Sequence, residues 1–227
     1  RDSVSEAFRI IRTNMDFMRV KSDKLQVVMF TSANPGAGKT FVSSNLAMSI
    51  AQTNKRVVLI DVDIRKGTLS GIFSNSSNRM GLTHYLSGST DKVDDIVGTS
   101  EEYEKLDVIF SGPVPPNPAE LLLSERFDRL ITELRKRYDY IIVDNVPAGM
   151  VADASIVNRV ADLTIFVVRS GVMDRRQLPE LENMYRQEQL RNMAVVLNGV
   201  PSGHRGYGYG YGYGYGYGYG YGNESHS

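Results

Sequence analysis

The segment that most restricts how this chain can fold is an apolar run that leads directly into a glycine-rich loop. Residues Leu25–Phe30 are mostly apolar, and Ala33-Asn-Pro-Gly-Ala-Gly-Lys39-Thr40 follows them and precedes a helical pattern. This is the Walker A phosphate-binding loop in its strand–loop–helix setting, with Ala33 in place of the first glycine. A glycine turn before an ordinary helix would share part of the pattern, but the Gly-Lys-Thr ending after a buried strand favours a nucleotide site.

The residue types of this loop suit a triphosphate. Glycines allow the loop to wrap with its N–H groups pointing inward, and the start of the following helix adds partial positive charge. We expect Lys39 to reach the β- and γ-phosphates of ATP and Thr40 to offer its hydroxyl to Mg²⁺. The residues expected to contact the nucleotide here are Pro35, Gly36, Ala37, Gly38, Lys39, Thr40 and Phe41.

Short apolar runs alternate with helical patterns along the chain. Strands alternating with helices predict an α/β fold of the P-loop NTPase type, with a mostly parallel sheet and helices on both faces. In such sheets ligands bind beyond the carboxyl ends of the strands. The predicted strands are Leu25–Phe30, Val57–Ile60, Leu106–Phe110, Tyr140–Val143, Leu163–Val168 and Met193–Leu197, and the predicted helices are 4–20, 39–53, 119–137, 153–160 and 177–190.

Carboxylates stand at the ends of two predicted strands. One strand ends in Asp61-Val-Asp63-Ile-Arg65 and another in Asp144-Asn-Val-Pro147. A carboxylate at the end of a buried strand is costly unless it meets a cation or hydrogen-bond donors. Either could simply cap the next helix, but beside a Walker A loop the magnesium of a bound triphosphate is the favoured partner.

The composition changes abruptly near Pro201. Gly and Tyr alternate strictly from Gly206 to Gly222, with eight tyrosines in this stretch. Gly is too flexible and too small to support a packed helix or strand, so we expect a disordered C-terminal tail. The predicted division is an N-terminal helix over 1–22, a P-loop domain over 23–200 and the tail over 201–227.

The overall charge and the absence of cysteine exclude several functions. Twenty-six basic residues balance 26 acidic ones, which argues against a general nucleic-acid binder. No cysteine is present, which excludes disulfides and thiolate metal sites. No apolar run approaches the ~20 residues that span a bilayer. Because the sequence begins at Arg1, we expect it to be a piece of a longer protein.

Taken together, these motifs resemble those of the bacterial tyrosine kinases (BY-kinases), the cytoplasmic domains of polysaccharide co-polymerases. The likeness extends beyond the nucleotide site: Glu6, Arg9 and Arg12 match that family's E-x-x-R-x-x-R oligomerisation motif, and 112–118 resembles a proline-rich family segment. The tyrosine tail is a further shared feature. Asn34 stands where partition ATPases of the Min/Par type carry a second lysine, which argues against that sister family.

The resemblance implies an ATP- and Mg²⁺-dependent tyrosine autokinase that works in trans within a ring of copies and regulates capsular or exopolysaccharide synthesis and export. It implies a cytoplasmic domain at the inner membrane, a membrane-embedded co-polymerase region, fused or separate, as a partner, and an opposing tyrosine phosphatase. Asn198 would contact the base. The phosphoacceptors would be Tyr207, Tyr209, Tyr211, Tyr213, Tyr215, Tyr217, Tyr219 and Tyr221.

For catalysis we expect Asp63 and Asp144 to act on the metal. A phenol has a pKa near ~10, so it needs a base or a cation to attack at neutral pH. Asp61 is the expected base, although Asp61 and Asp63 could exchange roles.

Other functions remain open at this point. A Min/Par-type regulatory ATPase without kinase activity shares the fold and the nucleotide motifs, and a nucleotide-gated scaffold could use the tail to bind a partner. The tail could also be an adhesive low-complexity segment. The charges on the first helix could form only a solvated face with local ion pairs.

Overall fold

Buried strands of apolar residues form the framework that carries the motifs. The computed structural model describes residues 2–21, 25–73, 80–148 and 153–201, so the eight tail tyrosines lie outside the described residues. All six predicted strands are present. The strands are β1 (Val27–Thr31), β2 (Val57–Asp61), β3 (Gly98–Thr99), β4 (Leu106–Ile109), β5 (Tyr140–Asp144), β6 (Leu163–Arg169) and β7 (Met193–Asn198). The α-helices are α1 (Asp2–Lys21), α2 (Lys39–Ala51), α3 (Leu82–Leu86), α4 (Pro118–Leu123), α5 (Glu125–Arg137), α6 (Asp153–Asn158) and α7 (Leu178–Arg186).

The strands form one sheet in the order β3-β4-β2-β5-β1-β6-β7. Every neighbouring pair is parallel except β3 with β4, so the predicted mostly parallel sheet is confirmed. Strand β1 lies between β5 and β6, and its register sets Phe30 beside Asp144. The carboxyl ends of β1, β2 and β5 therefore meet at one edge of the sheet, where α/β folds bind ligands.

Helices cover both faces of the sheet and bury its apolar side chains. On one face α1 and α2 contribute Phe8, Met15, Leu46 and other buried residues. On the other face the helices from α3 to α6 contribute residues such as Leu82 and Phe127. Full burial of such a side chain contributes about 1.5–3 kcal/mol, so both layers stabilise the sheet. Within the described residues, no helix combines the length and apolarity that a bilayer crossing requires.

Three details differ from the sequence prediction. The helix expected over 119–137 is two helices, because Ser124 has an extended ψ of 151° and separates α4 from α5. The short helix α3 has only five residues, too few to show a helical period. Strand β3 consists of Gly98 and Thr99 and pairs antiparallel at the sheet edge, so its two residues carry no strand pattern of their own.

Candidate active site

The glycine-rich loop connects β1 to α2 as the sequence predicts. Gly36 and Gly38 have φ angles of +75° and +92°, which favour glycine, and α2 begins at Lys39 immediately after Gly38. A Cβ atom at position 38 would lie 2.2 Å from the amide nitrogen of Asn198. Position 38 therefore requires glycine both for its backbone angle and for its close neighbour.

A cavity of about 390 Å³ lies beside the loop at the carboxyl edge of the sheet. It combines donors from the loop, cations and a carboxylate from the segment after β2, and a carboxylate from the end of β5. This set of groups suits the phosphates of a nucleotide together with a divalent cation. The lining residues are Pro35, Gly36, Gly38, Lys39, Thr40, Asp63, Arg65, Lys66, Thr68, Asp144, Asn145, Val146 and Pro147.

Lys39 is half-buried and lacks full solvation. Its Nζ donates to Ser32 Oγ at 3.3 Å. Burial lowers the pKa of Lys39, while the nearby charges of Asp144 and Asp63 raise it. A phosphate would supply the anionic partner that this ammonium group needs to stay charged in a partly desolvated site.

Asp144 carries a buried carboxylate that is only 2% exposed. Its Oδ1 atom has no hydrogen-bond partner among the described residues. Burial raises the pKa of Asp144 to about 6, and the Thr40 hydroxyl and the Lys39 charge oppose that shift. An orphaned carboxylate oxygen beside a threonine hydroxyl fits an oxygen-bound cation or one of its waters.

The acidic residues of the described ranges do not form a metal site by themselves. No group of three or more His, Cys, Asp or Glu side chains within those ranges is arranged to hold an ion. Mg²⁺ commonly binds through one or two carboxylates plus substrate phosphates, with water completing its coordination. Thr40, Asp63 and Asp144, which all line the cavity, therefore fit a magnesium ion that arrives with a nucleotide.

The two aspartates after β2 lie in different environments. Asp61 is fully buried and accepts hydrogen bonds from the backbone N–H groups of Asp63 at 3.1 Å and Leu69 at 3.0 Å. Burial raises the pKa of Asp61 to about 7, and the Leu69 hydrogen bond opposes the shift. Asp63 is half-buried and lines the cavity, whereas Asp61 is absent from the lining. Asp61 thus shapes the turn, and Asp63 faces the site.

Three residues expected at the nucleotide, Ala37, Phe41 and Asn198, lie outside the described lining of the cavity. Phe41 is 48% exposed, and its ring packs edge-on against Phe8 of α1 with 5.9 Å between centroids. Asn198 donates its amide N–H to the Ala37 carbonyl at 3.0 Å. Ala37 itself is buried, and its contribution would come from its backbone.

The predicted oligomerisation residues divide into two kinds. Glu6 and Arg9 form an ion pair with each other and are both exposed. Arg12 instead donates through Nη1 to the Ser49 carbonyl of α2 at 2.7 Å and to the Ser49 hydroxyl at 3.2 Å. Arg12 therefore links α1 to α2 through hydrogen bonds, while Glu6 and Arg9 remain at the surface.

Several residues at the site carry weak sequence signals or none. Lys66 and Thr68 line the cavity, and only their position after Asp63-Ile-Arg65 could have indicated this. Arg169 at the end of β6 donates through Nη1 to the Gly36 carbonyl at 2.8 Å. No sequence signal marks Arg169, because the contact joins residues 133 positions apart.

Comparison with known proteins finds a matching family model and named relatives of the chain. Residues 25–190 match the model of a family described as AAA domain. The chain is 38% identical to the tyrosine-protein kinase CpsD of Streptococcus pneumoniae, over 85% of this chain and 83% of CpsD. It is 39% identical to the tyrosine-protein kinase YwqD of Bacillus subtilis, over 86% of this chain and 81% of YwqD.

Solved structures similar to this chain include a tyrosine kinase domain. The kinase domain of the Escherichia coli tyrosine kinase ETK superposes with a TM-score of 0.80 at 35% identity, covering 91% of this chain and 80% of that one. The cell division protein MinD of Aquifex aeolicus superposes with a TM-score of 0.62 at 23% identity, covering 78% and 70%, and shares the fold alone. With these relatives, and with its Walker A loop and strand-end carboxylates around one cavity, this chain belongs to the bacterial tyrosine kinases.

Proposed function

We propose that this kinase transfers the γ-phosphate of ATP to the tyrosines of a neighbouring copy's Gly-Tyr tail. One observation carries the proposal: the cavity brings Lys39, Asp63 and Asp144 together in a chain that has eight tyrosines after its last strand. Phosphoryl transfer needs alignment of the reactants and cancellation of charge more than covalent chemistry from the protein. The lining groups of the cavity suit both tasks.

Different parts of the site bind the phosphates and the magnesium ion. The N–H groups of the loop and the Lys39 ammonium group bind the phosphates. Thr40 and Asp144 hold Mg²⁺, directly or through its waters, and the orphaned Asp144 oxygen supports this assignment. When bound, Mg²⁺ neutralises charge on the β- and γ-phosphates. The exposed cations Arg65 and Lys66 add positive charge at the cavity mouth.

Asp63 is the aspartate that we assign to the incoming tyrosine. It faces the cavity, while the Asp61 carboxylate accepts two backbone N–H groups and is fully buried. A base must come within hydrogen-bond reach of the proton that it accepts, and geometry takes precedence over pKa in choosing it. Asp63 would therefore orient the phenol and accept its proton, or would hold the metal together with Thr40 and Asp144, and Asp61 holds the turn that positions Asp63.

We expect the tail to reach a second copy. A flexible Gly-rich chain of 17 residues, the length of the Gly-Tyr stretch, has a root-mean-square span of roughly 20–25 Å. Tethering within a ring of copies raises the local tyrosine concentration, so weak recognition of any single tyrosine suffices. The exposed Glu6 and Arg9 of α1 are the surface that we assign to the contact between copies.

Phosphorylation of the tail would regulate assembly. Each phosphate adds about −1.5 to −2 charge at neutral pH, and several on one tail would repel each other and acidic surfaces nearby. We place the domain on the cytoplasmic side of the inner membrane beside a co-polymerase region, with a tyrosine phosphatase reversing the reaction. The family resemblance implies a role in the control of capsular or exopolysaccharide synthesis. The name of the relative CpsD agrees with that role.

A mass-spectrometric assay tests the proposal. The chain is incubated with ATP and Mg²⁺, and phosphosites are mapped beside a Lys39→Met variant. We expect phosphate within Tyr207–Tyr221 in the wild type and none in the variant. ATP turnover with an unmodified tail would instead indicate a Min/Par-type ATPase, and binding without turnover would indicate a scaffold.

A further inference from the structure

Two neighbouring strand ends lie behind the glycine-rich loop and contact its backbone. Strands β6 and β7 pair in parallel, with Arg169 in register with Asn198. Arg169 Nη1 donates to the Gly36 carbonyl at 2.8 Å, and Asn198 Nδ2 donates to the Ala37 carbonyl at 3.0 Å. Two consecutive carbonyls of the loop are therefore held from one side by two adjacent strand ends.

The planarity of the peptide bond gives these contacts a consequence for the opposite side of the loop. In a trans peptide the C=O and N–H groups point in opposite directions. The Gly36 carbonyl shares its peptide with the N–H of Ala37, and the Ala37 carbonyl shares its peptide with the N–H of Gly38. Holding both carbonyls toward β6 and β7 therefore turns both N–H groups away from those strands.

Without such contacts, the loop would have freedom to turn these peptides over. Gly36 and Gly38 flank the pair, and glycine populates both signs of φ with similar ease. A reversed peptide would point a carbonyl oxygen, rather than an N–H, at an anionic ligand. The stem of Arg169 also lies beside Gly199, where an added Cβ atom would lie 3.5 Å from the arginine Cγ.

We propose that Arg169 and Asn198 are positioning residues that fix the N–H groups of Ala37 and Gly38 toward the diphosphate before the nucleotide binds. Neither side chain is among the described lining of the cavity, so both act through the loop backbone. This role for Asn198 differs from the base contact that the sequence suggested. The inference rests on the nucleotide site of the proposed function.

The test measures affinity for a diphosphate with and without a base. In the full chain with Mg²⁺, the Kd for ADP is measured by calorimetry, and pyrophosphate is titrated as a competitor. Arg169→Ala and Asn198→Ala are each expected to weaken both ligands by about 3–10-fold, the effect of one lost hydrogen bond. Arg169→Lys keeps a cationic donor and should recover at least part of the loss.

Arg186→Ala is the matched control. Arg186 is an exposed arginine on α7 that pairs with Glu182, so its removal changes the net charge equally without touching the loop. We expect this variant to bind both ligands like the wild type. Urea unfolding of each variant separates a folding defect from a binding defect, and Arg169→Gln provides a second test if Arg169→Ala does not fold.

Two results would overturn the inference. Wild-type affinity for pyrophosphate in both alanine variants would show that the contacts do not prepare the loop. Loss of ADP affinity with unchanged pyrophosphate affinity would show that the residues serve the base instead. If the wild-type chain bound neither ligand, the proposed nucleotide site itself would fail, and this outcome is distinct from the other two.

Discussion

Replacing Gly38 by alanine perturbs the site at its tightest point. Gly38 has a φ of +92°, and an added Cβ atom would lie 2.2 Å from Asn198 Nδ2. Gly36 provides a matched control, because its φ is +75° and nothing lies within 4 Å of an added Cβ atom. Gly36→Ala therefore isolates the backbone effect, and Gly38→Ala adds the collision with the Asn198 amide.

The two effects have different magnitudes. A left-handed conformation costs an L-residue about 1–2 kcal/mol, and this cost applies to both variants. At position 38 the Asn198 amide must also swing away and lose its 3.0 Å bond to the Ala37 carbonyl. A lost hydrogen bond of this kind costs about 0.5–1.5 kcal/mol. Gly38→Ala should therefore be less stable than Gly36→Ala by about 0.5–1.5 kcal/mol.

Urea unfolding in the absence of nucleotide measures this difference. Alanine also restricts the unfolded chain more than glycine does, but this effect is common to both variants and cancels in the comparison. Repeating both substitutions in an Asn198→Ala background removes the colliding amide. In that background we expect the two alanine variants to lose the same stability.

Two outcomes would contradict a collision between a side chain at position 38 and the Asn198 amide. Equal destabilisation by Gly36→Ala and Gly38→Ala in the wild-type background would show that Asn198 is not held against the loop. A difference that persists after Asn198→Ala would assign the excess cost to a group other than this amide.

Four further substitutions test separate parts of the account. Burial raises the pKa of Asp61 from 3.8 to about 7, so the folded chain retains a proton that the unfolded chain releases, and stability falls as pH rises from about 4 to 7. Asp61→Asn should remove the Asp61 part of that slope in urea melts at about pH 5 and about pH 7.5, leaving the smaller part that Asp144 contributes. An unaltered slope would contradict this prediction. Lys39→Met should weaken ADP binding about 10–100-fold in calorimetry, without lowering the free energy of unfolding, since burial already disfavours the charged lysine. Arg12→Ala should lower the free energy of unfolding by about 1 kcal/mol, because the hydrogen bonds to Ser49 are lost, and urea unfolding measures this change. Arg9→Ala should change the free energy of unfolding by less than about 0.5 kcal/mol, because its ion pair is exposed. It should instead shift the sedimentation profile, since Arg9 is assigned to the contact between copies.

Local patterns explain why much of the fold was predictable. Each predicted strand is a short apolar run, and most of these runs are buried, as in Val57–Asp61, which is buried throughout. Strand β7 at the sheet edge is the exception, since none of its residues is fully buried. The loop before Lys39 was equally clear, because glycines followed by Gly-Lys-Thr form a contiguous signal. A parallel sheet then brings the carboxyl ends of β1, β2 and β5 to one edge, which places Asp63 and Asp144 at a shared cavity.

Contacts between distant segments explain what the sequence could not decide. Asp61 and Asp63 are two residues apart, and their different exposure depends on a turn that presents the Leu69 N–H to Asp61. The contact of Arg169 with the Gly36 carbonyl depends on the order of strands in the sheet. The role of Arg12 in fastening α1 depends on how two helices pack.

The most direct test of the central claim separates the catalytic pocket from the substrate tail. One chain carries Lys39→Met with an intact tail, and a second carries the wild-type pocket with phenylalanine at each of the eight tail tyrosines. The two are mixed with ATP and Mg²⁺, and each chain is weighed by intact-mass spectrometry. We predict phosphate on the Lys39→Met chain only in the mixture, and a tail left unmodified beside a working pocket would contradict the account.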